Sequence, residues 1–260
     1  MRNNRKIILK LVYIAMFAAL SFVGTMISFP VGPSKVHFGN FFCILCGLLC
    51  GGLVGGLAGS IGMGLNDIVF GYTPDVYIRT IILKFLMGFV VGTLFRFLLK
   101  KKADGKILNC IGTAFMAIIL IVSTVCFILK IGKASLWIMI LSALLFLVFL
   151  VITVHTGKLG RETNCLSFSL LVSISVNVLG EFITRIIFKM ILGVDFQSAL
   201  SLSIASLPGG LLTSLVTICI IIPTFIPLYK ASYHLNRLND LEPLVTLEET
   251  KKGEEKHEAK

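Results

Sequence analysis

Long apolar runs separated by short polar breaks dominate the chain, and the breaks fall where helices of membrane length would end. Ile7 to Phe29 is the first run, stopped by Pro30, Gly32 and Pro33. Phe38 to Val69 follows. At about 1.5 Å per residue it would reach roughly 48 Å, against a hydrocarbon core of roughly 30 Å. A break at Gly51-Gly52 divides it into two short helices that return the chain to its starting face. Val76 to Leu99, Ile107 to Leu129, Ser135 to His155, Cys165 to Leu192 and Leu202 to Tyr229 complete eight membrane helices, the last entered through Pro208-Gly209-Gly210. The pattern predicts an all-α polytopic membrane helix bundle.

The second run has its own internal pattern. Gly47, Gly51, Gly55 and Gly59 recur every fourth residue, the spacing of one helix face. In lipid, bare backbone at that spacing lets helices approach closely, because packing rather than water drives their association. Cys43, Cys46 and Cys50 share the run at helical spacing and read as small packing residues, not as metal ligands or disulfide partners.

Composition agrees with the pattern. Of 260 residues, 56% are hydrophobic and 14% charged, and the mean hydropathy of +0.95 is far above what a soluble domain needs. The net charge of +11 reads as basic cytoplasmic loops rather than a nucleic-acid surface. Arg2, Arg5, Lys6, Lys10, Arg96, Lys100, Lys101, Lys102, Lys106, Lys158, Arg161, Lys230 and Arg237 fall on one side of the predicted topology, with chiefly Lys35, Lys130 and Lys133 on the other. Both termini are therefore expected in the cytoplasm. The first run, too long for a simple signal sequence and without a convincing cleavage site, reads as retained. Residues 233–260 read as a charged cytoplasmic tail, and a tight Lys130-to-Lys133 turn is expected to join the Ile107-to-Leu129 and Ser135-to-His155 spans. No nucleotide-binding P-loop, zinc motif or nucleophile elbow occurs in the sequence, so neither an enzyme, a metal nor a cofactor is expected.

Charged groups at membrane depth are costly and face an interior or a cavity. Lys84 lies about two turns into its helix, and Asn177, Glu181 and Arg185 sit one turn apart in the middle of another. Glu181 and Arg185 at i, i+4 either neutralise one another, or Lys84, Asn177 and Glu181 point into one outward-facing pocket. Asn66 and Asp67 either cap their helix or line that pocket. Tyr72 and Tyr77 are placed to stack on a ring or to sit at the interface as anchors. Arg79, one turn after Asp75, reads as half of a solvated external pair.

The chain resembles the substrate-binding S components of energy-coupling factor (ECF) vitamin transporters. The resemblance rests on the Ala15-x-x-x-Ala19 pair, the Val36-His37-Phe38-Gly39-Asn40 entry, the LCGGLVGGLAGSIGMGLNDIVFGY hairpin and the Ile81-to-Gly88 opening of the next helix. It covers residues 10–100 and extends over 165–232. This implies an integral membrane domain over 1–232, with a six-helix core at 7–101 and 165–232 and an inserted helix pair at 103–160. It further implies a protein of the bacterial cytoplasmic membrane that captures a water-soluble vitamin from outside. Such a protein docks on a transmembrane coupling protein driven by two ABC-type ATPases and topples to release its cargo. Ala15 and Ala19 would then face the coupling protein. Lys84, Asn177, Glu181, Asp67, Asn66, Tyr72 and Tyr77 are the candidate substrate-binding residues, with Asn40 standing where the family would be expected to carry an acid. The competing expectation is a self-sufficient proton-coupled transporter that uses Asp67 or Glu181 as its protonation site.

Overall fold

A computed structural model describes residues 2–129 and 134–238. The expected Lys130-to-Lys133 turn and the tail from residue 239 onward lie outside the described residues. The described chain is an all-α membrane bundle: α1 (Arg2–Met26), a hairpin of β1 (Ser28–Val31) and β2 (Ser34–His37), α2 (Gly39–Cys50), α3 (Gly52–Val69), α4 (Pro74–Lys100), α5 (Gly105–Ile128), α6 (Ser135–Val154), α7 (Arg161–Ile191) and α8 (Phe196–Leu238). Seven of these helices are long and apolar enough to cross a membrane, and α2 is the short exception.

The break at Gly51 occurs where the sequence places it. Gly51 adopts φ of 102°, a left-handed conformation that side chains disfavour, and the helix stops and restarts there. The glycine stripe is therefore not one face of one helix. A side chain at Gly55 would run into the backbone of Gly47, and one at Gly59 into the sulfur of Cys43. Those pairs are equidistant from Gly51, so α2 and α3 fold back on each other as an antiparallel pair. A second stripe escapes the sequence reading. Gly52, Gly56 and Gly64 face α4, where added side chains would meet Phe89, Phe85 and Ile81, and Gly62 meets the Ala18 carbonyl of α1. Bare backbone thus lets α3 pack against three neighbours at once.

The turn at Gly51 lies beside Arg96, whose Nη2 donates to the Leu49 carbonyl at 3.2 Å. A helix end inside a membrane leaves carbonyls without partners, and a guanidinium supplies both hydrogen bonds and a favourable charge there.

The β-hairpin was not expected from the sequence. Ser28 pairs with His37 and Val31 with Ser34, around a turn at Gly32-Pro33. Its tip rests on α8, where a side chain at Gly209 would collide with Ser34. The Phe38 amide donates to the Gly24 carbonyl at 2.9 Å and ties the hairpin's exit to α1. The Pro208-Gly209-Gly210 segment does not open the last span; it lies inside α8, which also carries Pro223 and Pro227. In lipid, neighbouring groups satisfy the backbone that such prolines free. At the opposite end Phe95, Phe225 and Tyr229 pack ring against ring, joining α4 to α8.

Helices α5 and α6 bind each other through polar contacts in an apolar surround, Thr113 to Thr153 at 2.6 Å and Ser123 to Ser142 at 2.7 Å. The pair lies against α7 and α8.

The α3–α4 approach gives a direct test. A side chain at Gly88 would sit 2.6–2.7 Å from backbone atoms of Gly55 and Gly56, where nothing flexible can move aside. Gly88→Val should lower the thermal unfolding temperature of detergent-purified protein, an overpacking cost of about 1–3 kcal/mol or more. Gly157→Ala, which meets nothing within 4 Å, should unfold like the parent protein. Equal unfolding temperatures for both variants would show that the backbone contact is slack.

Candidate ligand-binding site

A polar stripe on α7 organises the site. Ser173, Asn177, Glu181, Arg185 and Lys189 recur every fourth residue and lie along α4. Ser173 Oγ donates to the Met87 carbonyl at 2.7 Å, Lys84 Nζ lies 2.8 Å from Asn177 Oδ1 and 3.1 Å from Glu181 Oε1, and Lys189 pairs with Asp75 at 3.2 Å. The residue numbers fall on one helix as they rise on the other, so α4 and α7 are antiparallel.

Above this seam, under the β-hairpin, lies a cavity of about 320 Å³. The hairpin supplies Pro30, Gly32, Pro33, Ser34, Lys35 and His37; α3 contributes Met63 and Asp67; α4 contributes Val76, Arg79, Thr80, Leu83 and Lys84; α7 contributes Glu181 and Arg185. Thr25 of α1 and Tyr72 of the α3–α4 connection complete the wall. No residue of α5 or α6 lines it. The size and the mixture of apolar walls with a few charged groups suit a small organic ligand.

Of the residues singled out from sequence, Lys84, Glu181, Asp67 and Tyr72 line the cavity. Asn177 stands behind Lys84 and holds its ammonium. Lys84 is 4% exposed and Glu181 30%, so the carboxylate is the partner that faces the open space. The contact ion pair of Glu181 is with Lys84, at 3.1 Å, while Arg185 acts on it from farther away. Asp67 lines the site rather than capping α3, accepting from Thr80 Oγ1 at 2.6 Å and from Lys35 Nζ at 3.3 Å. Asn66 lies outside the lining, donating to the Phe22 carbonyl at 3.4 Å and so joining α3 to α1. Tyr77 and Asn40 do not line the cavity, and Asn40 is buried at the start of α2. Ala15 and Ala19 are exposed on the outer face of α1, away from Ala18, which packs into the bundle.

One expectation is corrected. Arg79 is not part of a solvated pair: it is 6% exposed, lines the cavity, and its Nη1 is buried without a hydrogen-bond partner among the described residues. Asp75, its expected mate, pairs with Lys189 instead. The spacing of Asp75 and Arg79 gave no hint of a competitor on α7. Lys35 and His37 also went unassigned, because the hairpin that carries them was not foreseen. Lys35 lies 4.6 Å from the centre of the Tyr72 ring, a cation–π contact that fixes one rim of the cavity.

The sequence profile that matches this chain, over residues 5–154, describes the S component of ECF-type riboflavin transporters. The chain belongs to that family. The match runs through α5 and α6 and ends before α7, the helix that brings Glu181 and Arg185 to the cavity. Among solved structures, ThiT from Listeria monocytogenes is similar: 15% identity, a TM-score of 0.48, and coverage of 84% of this chain and 96% of that one. No curated protein matches the sequence.

Two measurements examine this geometry. Glu181→Gln leaves the more deeply buried Lys84 ammonium without its counter-charge and should lower the unfolding temperature more than Lys84→Met, which strands the more exposed carboxylate. The double variant should recover part of the loss, with a coupling of about 0.5–3 kcal/mol. Strictly additive effects would mean that the two charges do not act as a pair.

His37 offers the second. Burial, reinforced by the Lys84 and Lys35 cations and opposed by Glu181, pushes its imidazole from 6.5 down to about 3. The unfolded chain takes up a proton below about 6.5 that the folded chain refuses. The stability associated with a neutral His37 is thus complete above pH 6.5 and is lost progressively as the pH falls toward 3. Unfolding temperatures should drop between pH 6.5 and 4.5 in the parent protein and stay flatter in His37→Gln. Parallel curves would show that His37 is not the group responsible.

Proposed function

We propose that this S component is the substrate-specific subunit of an ATP-driven ECF importer in the bacterial cytoplasmic membrane. It captures a water-soluble vitamin or vitamin precursor at the external face and delivers it inward by docking on the coupling protein of a module with two ABC-type ATPases. The observation that carries this reading is the charged cavity beneath the hairpin, at the end of the bundle opposite Lys100, Lys101 and Lys102. The positive-inside rule puts that basic end, and both termini, in the cytoplasm, so the cavity opens outward. The family membership supports the role, and the position of Lys84 and Glu181 in the lining supports them as ligand-binding residues.

The chain is then a six-helix core of α1–α4, α7 and α8 with α5 and α6 as an inserted pair. That assignment is supported by the direct packing of α4 on α7 and by the absence of α5 and α6 from the cavity wall. Ala15 and Ala19 are the docking surface: small residues on an unpartnered face of α1 let another helix approach and slide.

Uptake of the vitamin by cells should survive an uncoupler and stop when the coupling ATPases are deleted. The reverse result would select a proton-coupled carrier. Ala15→Trp and Ala19→Trp should abolish co-purification with the coupling protein while leaving vitamin binding by the isolated subunit unchanged. Recovery of the full complex with either variant would remove that face as the docking surface.

A further inference from the structure

The charges of the cavity do not balance, and the imbalance is localised. Lys35 is paired with Asp67 and Lys84 with Glu181, which leaves Arg79 of α4 and Arg185 of α7 as lining cations with no carboxylate in ion-pair contact among the described residues, Glu181 and Asp75 acting on them only from longer range. The nearest candidate acid on α4, Asp75, is committed to Lys189. Arg79 Nη1 and Arg185 Nε are both buried without a hydrogen-bond partner among the described residues. His37 and Tyr72 are the wall's other ionisable side chains, and neither is a carboxylate.

Leaving two guanidinium groups unmatched within a membrane bundle is expensive. The planar fork of a guanidinium fits the two oxygens of a carboxylate or phosphate, in a bidentate geometry no ammonium can copy. We propose that the cavity is built for a ligand bearing an oxyanion, a carboxylate or a phosphate, which Arg79 and Arg185 bind together from α4 and α7. The apolar wall of Met63, Val76 and Leu83 holds the body of that ligand. This rests on the reading of the cavity as the vitamin site and narrows it. A cationic vitamin would meet four lining cations against two carboxylates, and a neutral one would leave both guanidinium groups unsatisfied.

The test uses matched probes that differ chiefly in one anionic group: riboflavin and riboflavin 5′-phosphate, nicotinamide and nicotinate, pantothenol and pantothenate. Calorimetric titration of the full-length protein, in detergent free of phospholipid, should show the anionic member of at least one pair binding roughly ten- to a hundredfold more tightly. The double variant Arg79→Gln/Arg185→Gln should lose that preference. Arg79→Lys/Arg185→Lys keeps the charges but not the fork and should retain only part of it, which guards against a misfolded glutamine variant. Tighter binding of a neutral member, or an anionic preference that persists in the glutamine variant, would overturn the inference while leaving the vitamin site standing. Binding of no probe would take down the vitamin-site reading and the inference with it. A preference abolished when phosphatidylglycerol is added would assign the guanidinium pair to lipid headgroups and overturn the proposal.

Discussion

An ammonium group held inside a membrane bundle is the constraint on which this structure turns. Lys84 is almost fully buried, and its charge is tolerable only because α7 delivers Asn177 and Glu181 to the same point. That requirement fixes the rotation and the register of α7 against α4. Once Asn177 and Glu181 face Lys84, the four-residue repeat carries Ser173 onto the Met87 carbonyl and Lys189 onto Asp75. It also carries Arg185 to the cavity wall. One buried charge thus positions groups over four turns of helix.

Glycine supplies the complementary constraint. Charged side chains can converge only if the helices that carry them lie close, and α4 comes close to α3 because Gly52, Gly56 and Gly64 on one side and Gly88 on the other have nothing to interpose. The same helix presents Gly55 and Gly59 to α2 and Gly62 to α1. Asp67 follows at the end of α3, where it meets Thr80 and Lys35. The apolar half of the site and its polar half are consequences of one densely packed helix.

The helices were legible in the sequence because each is an apolar run with punctuated ends, and the Gly51 break because an uninterrupted run would overshoot the membrane. Lys84, Asn177 and Glu181 were legible for an equally simple reason: a polar group in an apolar run must find company. Arg79 was not, since its spacing from Asp75 offered a local partner and nothing in the sequence revealed Lys189 as a rival 114 residues from Asp75. The hairpin was missed because each strand is four residues long and its prolines read equally well as the end of a helix. The prolines of α8 misled in the opposite direction, suggesting an entry where the helix continues.

The short reach of α2 has a consequence for how the chain enters the membrane. Its 12 residues extend about 18 Å, well below a hydrocarbon core of roughly 30 Å. Inserted alone it would leave its last carbonyls in lipid, so α2 cannot partition from the translocon by itself. It needs α3, which returns the chain, and Arg96 of α4, which reaches the Leu49 carbonyl. Helices α2, α3 and α4 therefore satisfy their backbone together, and the smallest self-sufficient unit in this part of the bundle is larger than a single helix.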